Sequence, residues 1–185
     1  MALTESTEIT LGEQAPSFSL FNVSNDQIEH LENHMGSEGT IIVFICNHCP
    51  YVIHLIDHFV EFAHLNKAKG INTIAISSND PTNYPEDGPN KMKELAERKG
   101  FNFPYFYDKT QQTALDYRAV CTPDFYLINS NKEFVYRGRY DESRPGNDFP
   151  LTGESLQNAI DLLINNRKVQ NQYPSIGCSI KWKTK

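Results

Sequence analysis

Thr40-Ile41-Ile42-Val43-Phe44-Ile45-Cys46-Asn47-His48-Cys49-Pro50 joins an uncharged, β-branched run to a C-x-x-C and a proline. Residues 40–45 read as a strand buried on both faces of a sheet. From Tyr51 to Lys67 the chain runs without Gly or Pro, and Val52, Ile53, Leu55, Ile56, Phe59, Val60 and Phe62 give a wide apolar helical face. The pattern predicts a central strand feeding a helix whose first turn holds both cysteines. Pro50 fits such a turn, because its N–H groups lack intrahelical acceptors anyway.

That position predicts the chemistry. Unpaired N–H groups and the positive end of the helix dipole stabilise a thiolate. Cys46 is therefore expected to be acidic, in the range of roughly 3.5 to 7.5 found for helix-start and C-x-x-C cysteines against about 8.5 for a free one. Residues three apart on a helix have Cβ atoms about 5–6 Å apart, close to what a disulfide needs, which makes Cys49 the resolving partner. His48, as an imidazolium, favours the ionised, reduced pair and so raises the reduction potential. The expected catalytic set is Cys46, Cys49 and His48, with Asn47 as an accessory. Chance burial of two cysteines accounts for neither the spacing nor the flanking residues. A structural zinc needs two further ligands, and no second C-x-x-C or H-x-x-H supplies them, so no metal and no cofactor is expected.

Composition narrows the class. The 185 residues, 39% of them hydrophobic, suit one domain better than two. A net charge of −6, with lysines clustered only at Lys181, Lys183 and Lys185, argues against nucleic acid. The start, Met-Ala-Leu-Thr-Glu-Ser-Thr-Glu, lacks the basic residues and apolar core of an export signal, and no apolar run is long enough to span a bilayer. The expected compartment is a reducing cytoplasm, where a C-x-x-C is catalytic sooner than structural.

Along the rest of the chain, residues 1–10 look mobile and Ser17-Phe18-Ser19-Leu20-Phe21 alternates like a half-exposed strand. A short helix or turn is expected around His30 to Met35. Ile71-Asn72-Thr73-Ile74-Ala75-Ile76 reads as a second buried strand, parallel to the first through a right-handed crossover. The polar loop from Ser77 to Asn90 follows it, at the sheet edge where sites commonly form. Short helices are expected over 91–98 and 113–117, the former stopped by Gly100. Residues 125–128 and 133–137 flank the turn sequence Asn129-Ser130-Asn131-Lys132 and predict an antiparallel hairpin. A last helix is expected over 156–165, and the final twenty residues show no clear periodicity.

Three stretches together resemble the thioredoxin-fold redoxins of the peroxiredoxin-like branch, grouped with alkyl hydroperoxide reductases and thiol-specific antioxidant proteins. They are Gly12-x-x-Ala15-Pro16-x-Phe18, the strand leading to Cys46-x-x-Cys49, and Cys121-Thr122-Pro123-Asp124-Phe125-Tyr126-Leu127-Ile128. The resemblance covers about residues 11–165. It implies an α/β thioredoxin-like fold, a central mixed sheet flanked by helices, with residues 1–10 as an extension; residues 166–185 read as a tail that docks on the domain because Trp182 needs somewhere to bury its ring. It also implies a cis peptide at Thr122-Pro123, with Thr122 offering its backbone to a substrate segment. Two positions depart from the family pattern. Cys46 stands where peroxiredoxins carry a threonine whose hydroxyl positions peroxide, and Thr40 stands where thioredoxins carry a buried aspartate. Another base for Cys49 is then needed, and His48 and Asp124 are the choices.

Two cysteines remain. Cys121, two residues before Pro123, reads as a packed thiol first and a redox sulfur second. Cys178 reads as an inert or intermolecular thiol, with a resolving role as the alternative. His54 and His58, at i,i+4 spacing, read as a polar helix face rather than a metal site. The expected activity is thiol-disulfide exchange on a protein or small-molecule disulfide, regenerated by a thiol reductant. The alternatives are a peroxidase using Cys49 and a thioredoxin-fold copper chaperone.

Overall fold

The computed structural model describes residues 3–184. Its strands are β1 (Leu3–Glu5), β2 (Ser19–Asn22), β3 (Gln27–His30), β4 (Gly39–Phe44), β5 (Ile71–Ser77), β6 (Tyr105–Tyr107), β7 (Cys121–Thr122), β8 (Asp124–Asn129), β9 (Phe134–Gly138) and β10 (Ile176–Ser179). Its α-helices are α1 (Pro50–Lys67), α2 (Pro89–Lys99), α3 (Gln112–Asp116) and α4 (Glu154–Ile164), with 3-10 turns at Leu31–His34 and Pro85–Asp87.

Seven strands build one mixed sheet in the order β3-β2-β6-β5-β4-β8-β9. β4 lies inside it, parallel to β5 and antiparallel to β8, and every residue of β4 is buried. That is the two-sided burial its uncharged sequence requires. Alternation divides the side chains between two cores. Ile41, Val43 and Ile45 join α1, α2 and α4 through Val52, Phe59, Met92, Leu156 and Ile160. On the opposite face Ile42 and Phe44 pack with Leu31, Ile74, Ile76, Phe106 and Tyr117. Helices thus cover both faces of the sheet. α1 buries Val52, Leu55, Ile56, Phe59 and Phe62, while Ile53, expected on the apolar face, stands 59% exposed. α2 ends where expected: Gly100 takes φ 66°, a left-handed cap that a glycine adopts without a Cβ penalty.

β10 forms the middle of a second, three-stranded sheet, antiparallel to both β1 and β7. Where the sequence offers a mobile start and an unpatterned end, Leu3–Glu5 pair with Ile176–Cys178, and the Ser6 N–H reaches Ser175 O at 2.9 Å. Met1, Ala2 and Lys185 lie outside the described residues. The open side of β9 is lined by the chain itself. The Gly12 N–H bonds Phe134 O at 2.8 Å, the Arg137 N–H bonds Gln172 Oε1 at 2.9 Å, and the Arg139 N–H bonds Tyr173 O at 2.8 Å. Among the described residues no helix is long and apolar enough to cross a membrane.

Candidate active site

Pro50 decides the local geometry. It occupies the first turn of α1, and a residue preceding proline is driven out of the helical region. Cys49 accordingly has φ −69° and ψ 121° and sits as the helix N-cap. Cys46 falls in the loop between β4 and the helix. This corrects the expectation that both cysteines share the first turn: only Cys49 meets the helix end.

All four cysteines are buried thiols. Cys49 Sγ lies 3.1 Å from the Thr122 carbonyl oxygen and in hydrogen-bonding contact with the thiols of Cys46 and Cys178. The Val52 N–H lies close to the same sulfur without closing an aligned cap bond. Cys46 Sγ is 3.4 Å from Thr122 Oγ1, so one residue touches both sulfurs. The Thr122-Pro123 peptide is cis.

The charge settles on Cys49. Donation from the Cys46 thiol, then from the Cys178 thiol and the Val52 and Cys178 backbone N–H groups, outweighs burial and holds Cys49 down at about 5. The Thr122 carbonyl is the contact that opposes it, since it favours the protonated form. Cys46 moves the other way: its proton serves Cys49, it is buried, and the Asp87 carboxylate is near, so it is pushed well above an ordinary thiol. The sequence expectation of an acidic Cys46 runs against this balance, whose largest cause is the hydrogen bond by which the Cys46 thiol donates to Cys49. The sign has a direct readout. Ultraviolet thiolate absorbance of the reduced protein should be present at neutral pH and fade as pH falls through about 5, and Cys49→Ser should remove that transition. A first thiolate appearing only above pH 8 would contradict it.

His48 faces the loop after β5. Its Nδ1 is 2.6 Å from Asp87 Oδ2, a close charge contact off the line of an ideal hydrogen bond, and its ring stacks on Tyr84 at 5.3 Å. Asp87 is fully buried, accepting the Asn47 N–H at 2.8 Å and Asn79 Nδ2 at 2.7 Å. Asn79 Oδ1 in turn accepts the Lys181 N–H at 2.8 Å, which connects this network to the tail. Asn47 Oδ1 accepts the Tyr105 hydroxyl at 3.3 Å. Donor atoms of Cys46, His48 and Asp87 lie within 4.8 Å of one another, one short of a tetrahedral set. Asp87, Asn79 and Tyr84 were not singled out in the sequence. Their signal was the polar loop at the carboxyl end of β5, which located the region but not the residue.

Asp124, one choice of base for Cys49, is otherwise engaged. Its Oδ2 pairs with Arg137 Nη2 at 2.8 Å and accepts the Tyr126 hydroxyl at 3.0 Å, and burial pushes its carboxyl upward. These contacts tie Asp124 to the strand after Pro123. Cys121 points its thiol toward Pro123 O at 3.9 Å, and burial pushes it up, as a packed thiol should be. His54 and His58 are held apart by separate partners, Ser143 Oγ at 2.8 Å and the Tyr140 hydroxyl at 2.6 Å. A groove of about 960 Å³ lined by α4 and by residues within 167–173 contains none of the cysteines.

Residues 11–137 match the AhpC/TSA family. The chain belongs to that family. As a redoxin of that family it has thiol-disulfide oxidoreductase relatives, and its fold is thioredoxin-like. Its sequence is 25% identical over 130 residues to the thiol-disulfide oxidoreductase ResA of Geobacillus kaustophilus, covering 70% of each chain. A crystal structure of an uncharacterized conserved protein from Geobacillus kaustophilus superposes with a TM-score of 0.97 at 48% identity, over 100% of this chain and 98% of that one. The thioredoxin domain of a thiol-disulfide oxidoreductase from Bacteroides vulgatus shares the fold, with a TM-score of 0.65 at 16% identity, over 85% and 100%.

Proposed function

We propose that this redoxin exchanges dithiol for disulfide through Cys46 and Cys49, reducing a protein or small-molecule disulfide in a reducing compartment. One observation carries the reading: Cys49 caps α1 with two neighbouring thiols donating to it, which leaves one nucleophilic thiolate beside a protonated partner. The Cys49 thiolate attacks a substrate disulfide, forming a Cys49-substrate bond and releasing one substrate thiolate, which takes up a proton. Cys46 then loses its proton and attacks Cys49. The Cys46–Cys49 bond forms, the second substrate thiol leaves, and an external thiol reductant later restores the dithiol. Relative to the order suggested by the sequence, the attacking and resolving roles are exchanged. Thr122 contacts both sulfurs and holds them in register for that step. Brief alkylation of the reduced protein followed by mass spectrometry should label Cys49 first. Labelling of Cys46 first would restore the opposite order.

Peroxidase chemistry is the second reading, favoured by the same acidic Cys49. Cys46 occupies the position of the peroxide-orienting threonine, and losing one such donor typically costs about 10² to 10³ in kcat. Stopped-flow oxidation by hydrogen peroxide and by an organic hydroperoxide should therefore be slow, near that of a low-pKa thiol without a peroxide site. A rate far above that, lost in Cys49→Ser, makes the protein a peroxidase.

A further inference from the structure

The thiolate assigned to Cys49 is surrounded by two thiols, and the proposed exchange uses only one of them. The other, Cys178, lies about 130 positions along the chain on β10. It is paired in register with Thr122, the residue whose carbonyl is 3.1 Å from Cys49 Sγ and whose hydroxyl is 3.4 Å from Cys46 Sγ. Its side chain is 4% exposed, packs in the same core as Cys46 and Cys49, and reaches hydrogen-bonding contact with Cys49. The neighbouring residue permits that approach. A Cβ on Gly177 would fall 2.0 Å from Thr122 O, so only a glycine lets β10 lie this close to the Thr122-Pro123 step. Downstream, Ile180 N–H to Val120 O at 2.9 Å and Lys181 N–H to Asn79 Oδ1 at 2.8 Å hold the strand in place. Cys121 makes the contrast. It is in the adjoining strand but directs its thiol to Pro123 O and does not join that core.

With Cys46 and Cys49 respectively 1% and 0% exposed, a substrate sulfur reaches Cys49 only by entering a position that a neighbouring group now fills. We propose that Cys178 is a third redox thiol of this site, closing a Cys49–Cys178 disulfide that exchanges with Cys46–Cys49, so that β10 carries one oxidation state of the protein. This rests on the thiol-disulfide reading given above. Once the Cys49 sulfur is bonded to a substrate sulfur, Cys178 loses its proton and attacks Cys49. The Cys49–Cys178 bond forms, and the substrate sulfur leaves with the electron pair and takes up the proton. Cys46 can then attack Cys49 in its turn, forming Cys46–Cys49 and returning the electron pair and a proton to Cys178. Two electrons pass to the substrate disulfide, and the second step only moves the bond. Protonation fits this order. Burial and the contact with Cys49 push the Cys178 thiol up to about 12 while Cys49 is ionised, and the second of those influences vanishes when Cys49 is bonded.

The experiment oxidises reduced Cys46→Ser with oxidised glutathione and identifies disulfides by non-reducing peptide mass spectrometry. The expected product is an intramolecular Cys49–Cys178 link, leaving Cys121 as the alkylatable thiol. In Cys46→Ser with Cys178→Ser, the Cys49-glutathione adduct should persist at least about tenfold longer, since a positioned intramolecular thiol has been removed. Accumulation of that adduct in Cys46→Ser with Cys178 still alkylatable overturns the proposal. Cys46→Ala provides the same readout if the serine variant does not fold. Wild-type protein in the same buffer separates the two failures. If it forms Cys46–Cys49 while the variants form no Cys49–Cys178 link, only the role of Cys178 falls. If it forms neither, the thiol-disulfide reading falls with it.

Discussion

Cys49→Ser is expected, on the proposed exchange, to lower the rate of insulin-disulfide reduction by roughly 10⁴-fold or more, the scale seen when a nucleophile is removed outright. Serine keeps the size of the side chain but its hydroxyl stays protonated where the thiol is ionised, so no first bond to substrate forms. Cys46→Ser behaves differently. Its Cys49 thiolate still attacks, and with Cys178 displacing the substrate in place of Cys46 the first round of thiol release is retained and the protein ends as the Cys49–Cys178 disulfide. Quenched-flow counting of released thiol separates the two variants. Full activity in Cys49→Ser would place the chemistry on another sulfur. The split matters because the two cysteines differ in burial by almost nothing and are distinguished by their hydrogen bonds and by the helix end.

Arg137→Ala is expected to cost about 3–5 kcal/mol of folding stability, among the largest effects available to a residue that touches neither sulfur. Arg137 is 3% exposed and Asp124 is 0% exposed, so removing the guanidinium leaves a buried carboxylate without its counter-charge. The same side chain donates to Thr7 Oγ1 at 2.8 Å and Arg118 O at 2.9 Å, and lies over the Tyr126 ring at 4.9 Å. The loss therefore combines charge, hydrogen bonds and packing. Urea unfolding monitored by circular dichroism measures it. Asp124→Asn with Arg137→Met should lose less than Arg137→Ala alone, because it removes both charges together. A loss under about 1 kcal/mol for Arg137→Ala would mean that Asp124 is neutral or hydrated in the folded protein.

The central architecture was legible because its signals are strong and local. An uncharged β-branched run can bury both faces only inside a sheet, which fixed β4 to within a residue and β5 beside it. Glycine at position 100 and the turn residues 129–132 marked α2 and the β8–β9 hairpin. β6 was not legible, since three residues are too few for a periodicity. β3 was hidden because Gln27–His30 is a mostly exposed edge strand whose partner, not its composition, makes it a strand. β1 and β10 were missed for the same reason. Their pairing joins residues more than 170 positions apart, which no local pattern encodes. At the site, the proximity of Cys46 and Cys49 was readable, but the opposite protonation tendencies of their thiols were not. Pro50 was read as compatible with a first turn, whereas it moves the helix start past Cys46. The Asp87 carboxylate that raises Cys46 comes from a distant loop.

The segments lining β9 have a consequence for the behaviour of the molecule in concentrated solution. An uncovered strand edge presents unpaired backbone groups that can recruit another chain and seed aggregation. Gly12, Gln172 and Tyr173 satisfy those groups along β9 from within the same chain, so that border of the large sheet has no template to offer. The opposite border is β3, four residues long and carrying Glu29 and His30, too short and too polar to template growth. Edge-to-edge pairing is thus disfavoured at both margins by the path of the backbone.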